Sequence, residues 1–224
     1  MIDKSSIRQS IHVRGVLFDM DGVLINSTAA DERSWLRWAQ THGMEGTFSV
    51  QSTHGRRTID TIRLLRPDLD HQTELNRIED FDAEETDGIV LLSGVTSLIA
   101  SLPPNSWTVV TSASDRLMRL RLQSAGLTLP PRVVSADSVV NGKPHPEPYL
   151  LGAELLHLFP SECLVIEDSP TGIRAGKAAG CAVLGVAGTH RADELEDADW
   201  IVPSLCHIGA SPKENGEITI HLYA

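Results

Sequence analysis

Cysteine is scarce in this 224-residue sequence. Cys163, Cys181 and Cys206 are odd in number, far apart and without a C-x-x-C pair, which argues against a disulfide framework or a zinc knot built on paired thiolates. Cys163 and Cys181 fall in or beside expected strands and are read as small core residues. Also missing is any apolar run of ~18 residues, so no transmembrane helix is expected. Residues 1–12 are polar and lack the apolar core of a signal peptide. A cytoplasmic protein, monomeric by default, is the resulting expectation. Basic residues are few: Lys and Arg number 19 against 30 Asp and Glu, a net charge of −11. That imbalance sits in two places. Residues 70–88 hold eight acids against Arg77, and residues 191–199 hold five against Arg191. Elsewhere the charges balance. Without a concentrated basic stripe, neither nucleic acid nor an anionic membrane is an expected partner. A small anionic substrate remains open, because a site sets its own local potential. Both acidic stretches are read as solvated surfaces, the first on the outer face of a helical segment, neither overlapping the motifs described next.

What is present is an alternation of short apolar runs with helical patterns. Residues 13–18 form an apolar run that ends in Asp19-Met20-Asp21-Gly22, a buried strand followed by a turn. Further strands are expected at 107–110, 132–135, 163–166, 182–186 and 200–202, with helices between them, including 147–158 and 170–179. This pattern predicts a parallel sheet covered on both faces. Residues 27–89 carry helical patterns at 28–42, 58–65 and 75–81 and no convincing buried strand, as expected of a helical insertion. The tail 213–223 reads as a small edge hairpin.

Polar clusters fall where strands end, the place where open α/β sheets form sites. Asp19 and Asp21, at i and i+2 after a buried strand, point the same way in extended geometry and can serve one reaction as nucleophile and acid/base. A turn with Gly22 in the left-handed region is the plain structural alternative. Thr111-Ser112 offers hydroxyls and amides suited to phosphate oxygens, or simply a helix cap, with Ser114 the plainer cap. Lys143, between Gly142 and Pro144, is aimed by a restricted backbone and can neutralise a phosphoryl group, or is a surface lysine in a rigid loop. Glu167-Asp168, brought beside Asp19 and Asp21, makes an oxygen cage of the kind Mg²⁺ takes. His54-Gly55-Arg56-Arg57, inside the insertion, can contact a polar substrate or open a solvated helix. His145, Glu147, Arg174 and Lys177 are read as structural or exposed.

Together these residues resemble the haloacid dehalogenase-like hydrolases. Phe18-Asp19-Met20-Asp21-Gly22-Val23 looks like their first motif, Val110-Thr111-Ser112 their second and Lys143 their third. Val165-Ile166-Glu167-Asp168-Ser169-Pro170-Thr171-Gly172 looks like the fourth, and the match runs from about residue 13 to 205. The resemblance implies a doubly wound, Rossmann-like α/β core (residues 1–26 and 90–224) with an inserted helical cap (residues 27–89). It implies an Mg²⁺-dependent phosphatase acting on a small phosphorylated sugar or polyol. Residues 52–58 and 141–150 resemble the glycerol-phosphate and 2-deoxyhexose-phosphate phosphatases in particular. Asp19 would be the nucleophile and Asp21 the acid/base. Thr111, Ser112, Ala113 and Lys143 would bind phosphate. Asp19, the Asp21 carbonyl and Asp168 would hold the metal, with Glu167 in a water-mediated contact. His54, Gly55, Arg56 and Arg57 would set specificity. A phosphomutase is the alternative, but Thr58, Asp31 and Asp115 stand where a mutase of this kind has an arginine, a histidine and a lysine. A non-catalytic phosphoacceptor leaves Asp21 with little role.

Overall fold

A computed structural model describes residues 6–44, 46 and 55–224. Its centre is a parallel five-stranded sheet. The order is β5 (Trp107–Val109), β2 (Gly15–Phe18), β6 (Cys163–Glu167), β7 (Ala182–Val186) and β8 (Trp200–Val202). Phe18 stands beside Val109 on one side and Ile166 on the other. Successive side chains alternate between faces: Val16, Phe18, Leu164 and Ile166 enter one core cluster, Leu17, Val165 and Val183 the other. The helices α4 (Val95–Ser101) and α5 (Asp115–Ser124) supply Leu98, Leu117, Met118 and Leu122 to the first cluster. The helices α6 (Glu147–Leu155) and α7 (Pro170–Ala179) supply Tyr149, Ala153 and Ile173 to the second. Cover on both faces is why these strands read as unbroken apolar runs. Cys163 and Cys181 are buried and free, as their surroundings predicted.

Between β3 (Ile25–Asn26) and β4 (Val90–Leu91), which pair antiparallel, the chain inserts α1 (Thr28–Thr41), α2 (Thr58–Leu65) and α3 (His71–Glu84). These helices share a core of Trp35, Trp38, Ile62 and Ile78. The two indoles meet edge-on at 5.5 Å, a favourable aromatic geometry.

Three sequence expectations are corrected, and one strand, β1, was not anticipated. The acidic stretch 70–88 does not lie wholly on an outer face: Glu74 and Asp82 are buried on either side of Ile78. Glu74 is held by Trp38 Nε1 and by His42 Nε2, both at 2.8 Å. Spacing by four residues puts all three on the inward stripe of α3. Residues 132–135 do not form a strand, because pairing with β5 reduces to a single bridge between Val110 and Val134. The polar N-terminus is ordered as β1 (Ile7–Val13), with only Ile11 and Val13 turned inward. Its partner is β10 (Ile218–Tyr223), which also pairs with β9 (Ile208–Pro212), so the terminal hairpin starts at Ile208 and is the middle and edge of a three-stranded antiparallel sheet. No helix among the described residues is long and apolar enough to cross a membrane.

Candidate active site

The carboxyl ends of β2, β5 and β6 deliver Asp19, Asp21, Thr111, Ser112, Ala113 and Asp168 to one cavity of about 80 Å³. Asp19 leaves β2 with its amide donating to Ile166 O at 3.0 Å. The chain then turns through Gly22, at φ +82°, where a side chain would be strained. A Cβ there would also stand 1.9 Å from Asp168 Oδ2, so the glycine is what admits the Asp168 carboxyl beside the turn.

Lys143 is 3% exposed. Its ammonium donates to Asp19 Oδ1 at 2.5 Å, Glu167 Oε1 at 2.7 Å and Val110 O at 3.1 Å. Burial works against this charge, but the two carboxylates hold the lysine above its ordinary range. Glu167 is wholly inside. Its Oε1 also accepts from Tyr149 OH at 2.8 Å, and its Oε2 accepts from the amides of Asp168 and Ser169 and from Ser169 Oγ, each at 3.0 Å. Burial pushes this carboxyl up, and is outweighed by the charge and hydrogen bond of Lys143 and by Tyr149 and Ser169, so it lies below its ordinary value. Gly172, in the first turn of α7, leaves room for it: a Cβ there would stand 1.6 Å from Glu167 Oε1.

Asp19 and Asp168 are in the opposite condition. Burial raises Asp19 to about 7 against the pull of Lys143, with Glu167 and Asp21 adding to the rise. Asp168 is pushed well above the carboxylate range by burial and by the charges of Glu167 and Asp19. Oxygens of Asp19, Glu167 and Asp168 lie within 4.8 Å of one another. Three buried carboxylates facing a single ammonium are short of positive charge, and an all-oxygen donor set suits a hard divalent cation. Both Glu167 oxygens are occupied by protein donors. That leaves Asp19 and Asp168 as the direct side-chain ligands a cation would find.

Asp21 meets different partners. Its Oδ1 accepts from Ser27 Oγ in a short hydrogen bond and from Arg121 Nη1 at 2.9 Å. Thr111 Oγ1 accepts from the Ala113 amide at 3.1 Å, and Ser112 Oγ donates to Gly55 O at 3.1 Å. Ser114 caps α5 through the Leu117 amide. Asp19, Asp21, Thr111, Ser112, Ala113, Asp168, Gly55 and Arg56 all line the cavity. Arg57 does not. Its guanidinium donates to Asp60 and to Val139 O at 3.2 Å and faces a separate space on the far side of Ser112. His54 lies outside the described residues.

Sequence reasoning missed Arg121, Tyr149, Ser27 and Trp35. Arg121 was discoverable: it shares the helical face of Leu117, Met118 and Leu122, an apolar stripe on which an arginine is out of place.

The segment 16–186 matches the model of the haloacid dehalogenase-like hydrolases. The chain belongs to this family. It is an enzyme of the hydrolase class, with the doubly wound α/β core expected of one. Hexitol phosphatase A of Escherichia coli (strain K12) is 39% identical over 92% of this chain and 98% of its own. Glycerol-1-phosphate phosphohydrolase 2 of Saccharomyces cerevisiae is 32% identical over 96% and 94%. Among solved structures, β-phosphoglucomutase from Clostridium difficile superposes with a TM-score of 0.75 at 22% identity, covering 86% of this chain and 92% of that one, a likeness of fold.

Proposed function

We propose that this hydrolase is a phosphatase that cleaves a small sugar or polyol phosphate monoester through an aspartyl-phosphate on Asp19. One observation carries the reading: two carboxylates at one cavity are given opposite environments. Asp19 is buried against an ammonium, whereas Asp21 stands at the cavity wall between a hydroxyl and a guanidinium. Such a pair divides into nucleophile and acid/base. Asp19 attacks phosphorus as the ester P–O bond breaks, and Asp21 gives its proton to the leaving alkoxide. In the second half Asp21 takes a proton from water, the water oxygen bonds to phosphorus, and the Asp19 carboxylate is released. Lys143 offsets charge on Asp19 and on the transferring group. The amides of Ser112 and Ala113 with the Thr111 or Ser112 hydroxyl receive phosphoryl oxygens.

Asp19, Asp168 and the Asp21 carbonyl would hold Mg²⁺, with Glu167 behind them, and the ion would supply charge neutralisation for a dianionic phosphoryl group. Residues 1–26 with 90–224 act as the core, and residues 27–89 as a cap that keeps water from the reacting atoms. The β3–β4 pair lies at the junction. On the leaving-group side, Thr28, Asp31, Trp35, Gly55, Arg56 and Thr58 line the cavity, which suits hydroxyls and a short carbon chain. The names of the relatives, hexitol and glycerol-1-phosphate phosphatases, support the same class of substrate.

Phosphate release from hexitol phosphates, glycerol phosphates and 2-deoxyglucose 6-phosphate tests this reading. Wild type should release phosphate from at least one, EDTA should stop it and Mg²⁺ restore it. Asp19→Asn should fold and be inactive. Near-full activity of both Asp19→Asn and Asp21→Asn would sink the mechanism.

A further inference from the structure

Arg121 is 4% exposed and lies on α5, in the core. Besides Asp21, it reaches two carboxylates of the helical insertion: Nη2 donates to Asp31 Oδ1 of α1 at 3.0 Å and to Asp82 Oδ1 of α3 at 3.4 Å. One buried guanidinium therefore joins the proposed acid/base to two helices of the cap. Among the described residues, both donors on Asp21, Arg121 and Ser27, take the same oxygen, Oδ1, and Oδ2 is left to face the cavity that Asp21 lines. A lysine would not reproduce this hold, because the planar fork serves divergent acceptors at fixed angles. A salt bridge of this kind needs several partners to offset desolvation, and here three carboxylates share the task.

We propose that Arg121 is a positioning residue for Asp21: it aims Oδ2 at the leaving oxygen, and is itself aimed by Asp31 and Asp82, so the acid is set only when α1 and α3 stand against α5. The assignment rests on the phosphatase reading above. In the step concerned, the ester P–O bond breaks, the P–O bond to Asp19 forms, and one proton passes from Asp21 Oδ2 to the departing oxygen. Arg121 gives up no proton and touches no reacting atom.

Leaving groups separate this role from a merely structural one. An alkoxide needs the proton as it leaves, whereas p-nitrophenolate departs without it. The experiment compares kcat/KM of wild type and Arg121→Met, as full chains with Mg²⁺, on glycerol 1-phosphate and on p-nitrophenyl phosphate. The alkyl ester should lose ~100-fold and the aryl ester no more than ~10-fold, the range set by general acid catalysis. Arg121→Met strands buried carboxylates, so the double variant Arg121→Met/Asp82→Asn, which removes the cation with one of its acids, supplies the same comparison if the single one fails to fold. Equal losses on the two esters, with wild type active on both, overturn the assignment and leave the phosphatase reading standing. A wild type inactive on every phosphate ester overturns that reading and the assignment with it.

Discussion

Replacing Lys143 by methionine tests the central claim that one ammonium organises the site. The side chain is buried and makes three hydrogen bonds, two of them to carboxylates. Methionine keeps much of the volume and removes all three. Asp19, Glu167 and Asp168 would then face one another with no cation among them. Breaking a buried ion pair by removing one partner costs about 3–5 kcal/mol, which for a chain this long is a fall in Tm on the order of 10 °C. Phosphate release should fall at least ~100-fold, as expected for loss of a charged group at the transferring phosphoryl. Differential scanning fluorimetry with and without Mg²⁺, beside a phosphate-release assay, reads both effects. Added Mg²⁺ should raise the Tm of the variant more than that of wild type, since the variant's carboxylates have lost the ammonium that sat among them. A variant whose Tm stays within ~2 °C of wild type, less than the change expected from 1 kcal/mol in a domain of this size, and which remains active, would refute the reasoning.

Two further perturbations follow from the same geometry. Gly172→Ala puts a Cβ 1.6 Å from Glu167 Oε1, against a carboxylate fixed by five hydrogen bonds to protein donors. It should cost at least ~1–3 kcal/mol as an overpacked buried site and abolish phosphate release, and a thermally unchanged, active Gly172→Ala would contradict that picture. Asp82 is raised to about 7 because burial outweighs the pull of Arg121, with Asp31 adding to the rise. A carboxyl raised in the fold keeps its proton there while the unfolded chain has released it. Its contribution therefore drains away as pH climbs from about 4 to about 7. The Tm of Asp82→Asn relative to wild type should rise between pH 5 and pH 8, and a pH-independent difference would contradict the reading.

Much of the core was legible because its punctuation is chemical. Helix α7 is bounded as expected: Ser169 caps it through the Gly172 amide, Pro170 opens it, and Gly180 ends it at φ +84°. Strands β7 and β8 read correctly as short apolar runs. What the sequence hid has one common cause, the orientation of polar residues. Strand β1 turns most of its side chains to solvent, so it lacked the apolar run by which the other strands were recognised. In α3, charge count pointed outward, whereas spacing by four turns Glu74 and Asp82 inward to specific partners. Tyr149 and Arg121 sit among ordinary helix residues and acquire a role only through carboxylates 18 and 100 positions away. Composition carries no signal of such long-range pairs.

The two buried cations explain how neighbouring carboxylates acquire different tasks. Lys143 is tied to Asp19, Glu167 and the Val110 carbonyl, all outside the insertion, so the pairing of Asp19 with a cation does not depend on the insertion. Arg121 ties Asp21 to α1 and α3, so the environment of Asp21 does. In the proposed mechanism the nucleophile is an anion, and Lys143 supplies from outside the insertion the charge that works against the burial of Asp19. In the proposed mechanism the acid meets the leaving oxygen, and residues of the insertion line the cavity beside Asp21. Charge counting at Asp19 adds a constraint. Asp19, Glu167 and Asp168 with Lys143 leave two negative charges uncompensated in a buried place, and the raised Asp19 and Asp168 are the mark of that deficit. A monovalent ion would halve it, whereas a divalent ion would cancel it and would let the phosphoryl dianion of the proposed reaction approach a neutral site. The net charge of −11 thus sets no barrier to an anionic substrate, because the relevant balance is struck among a few buried groups.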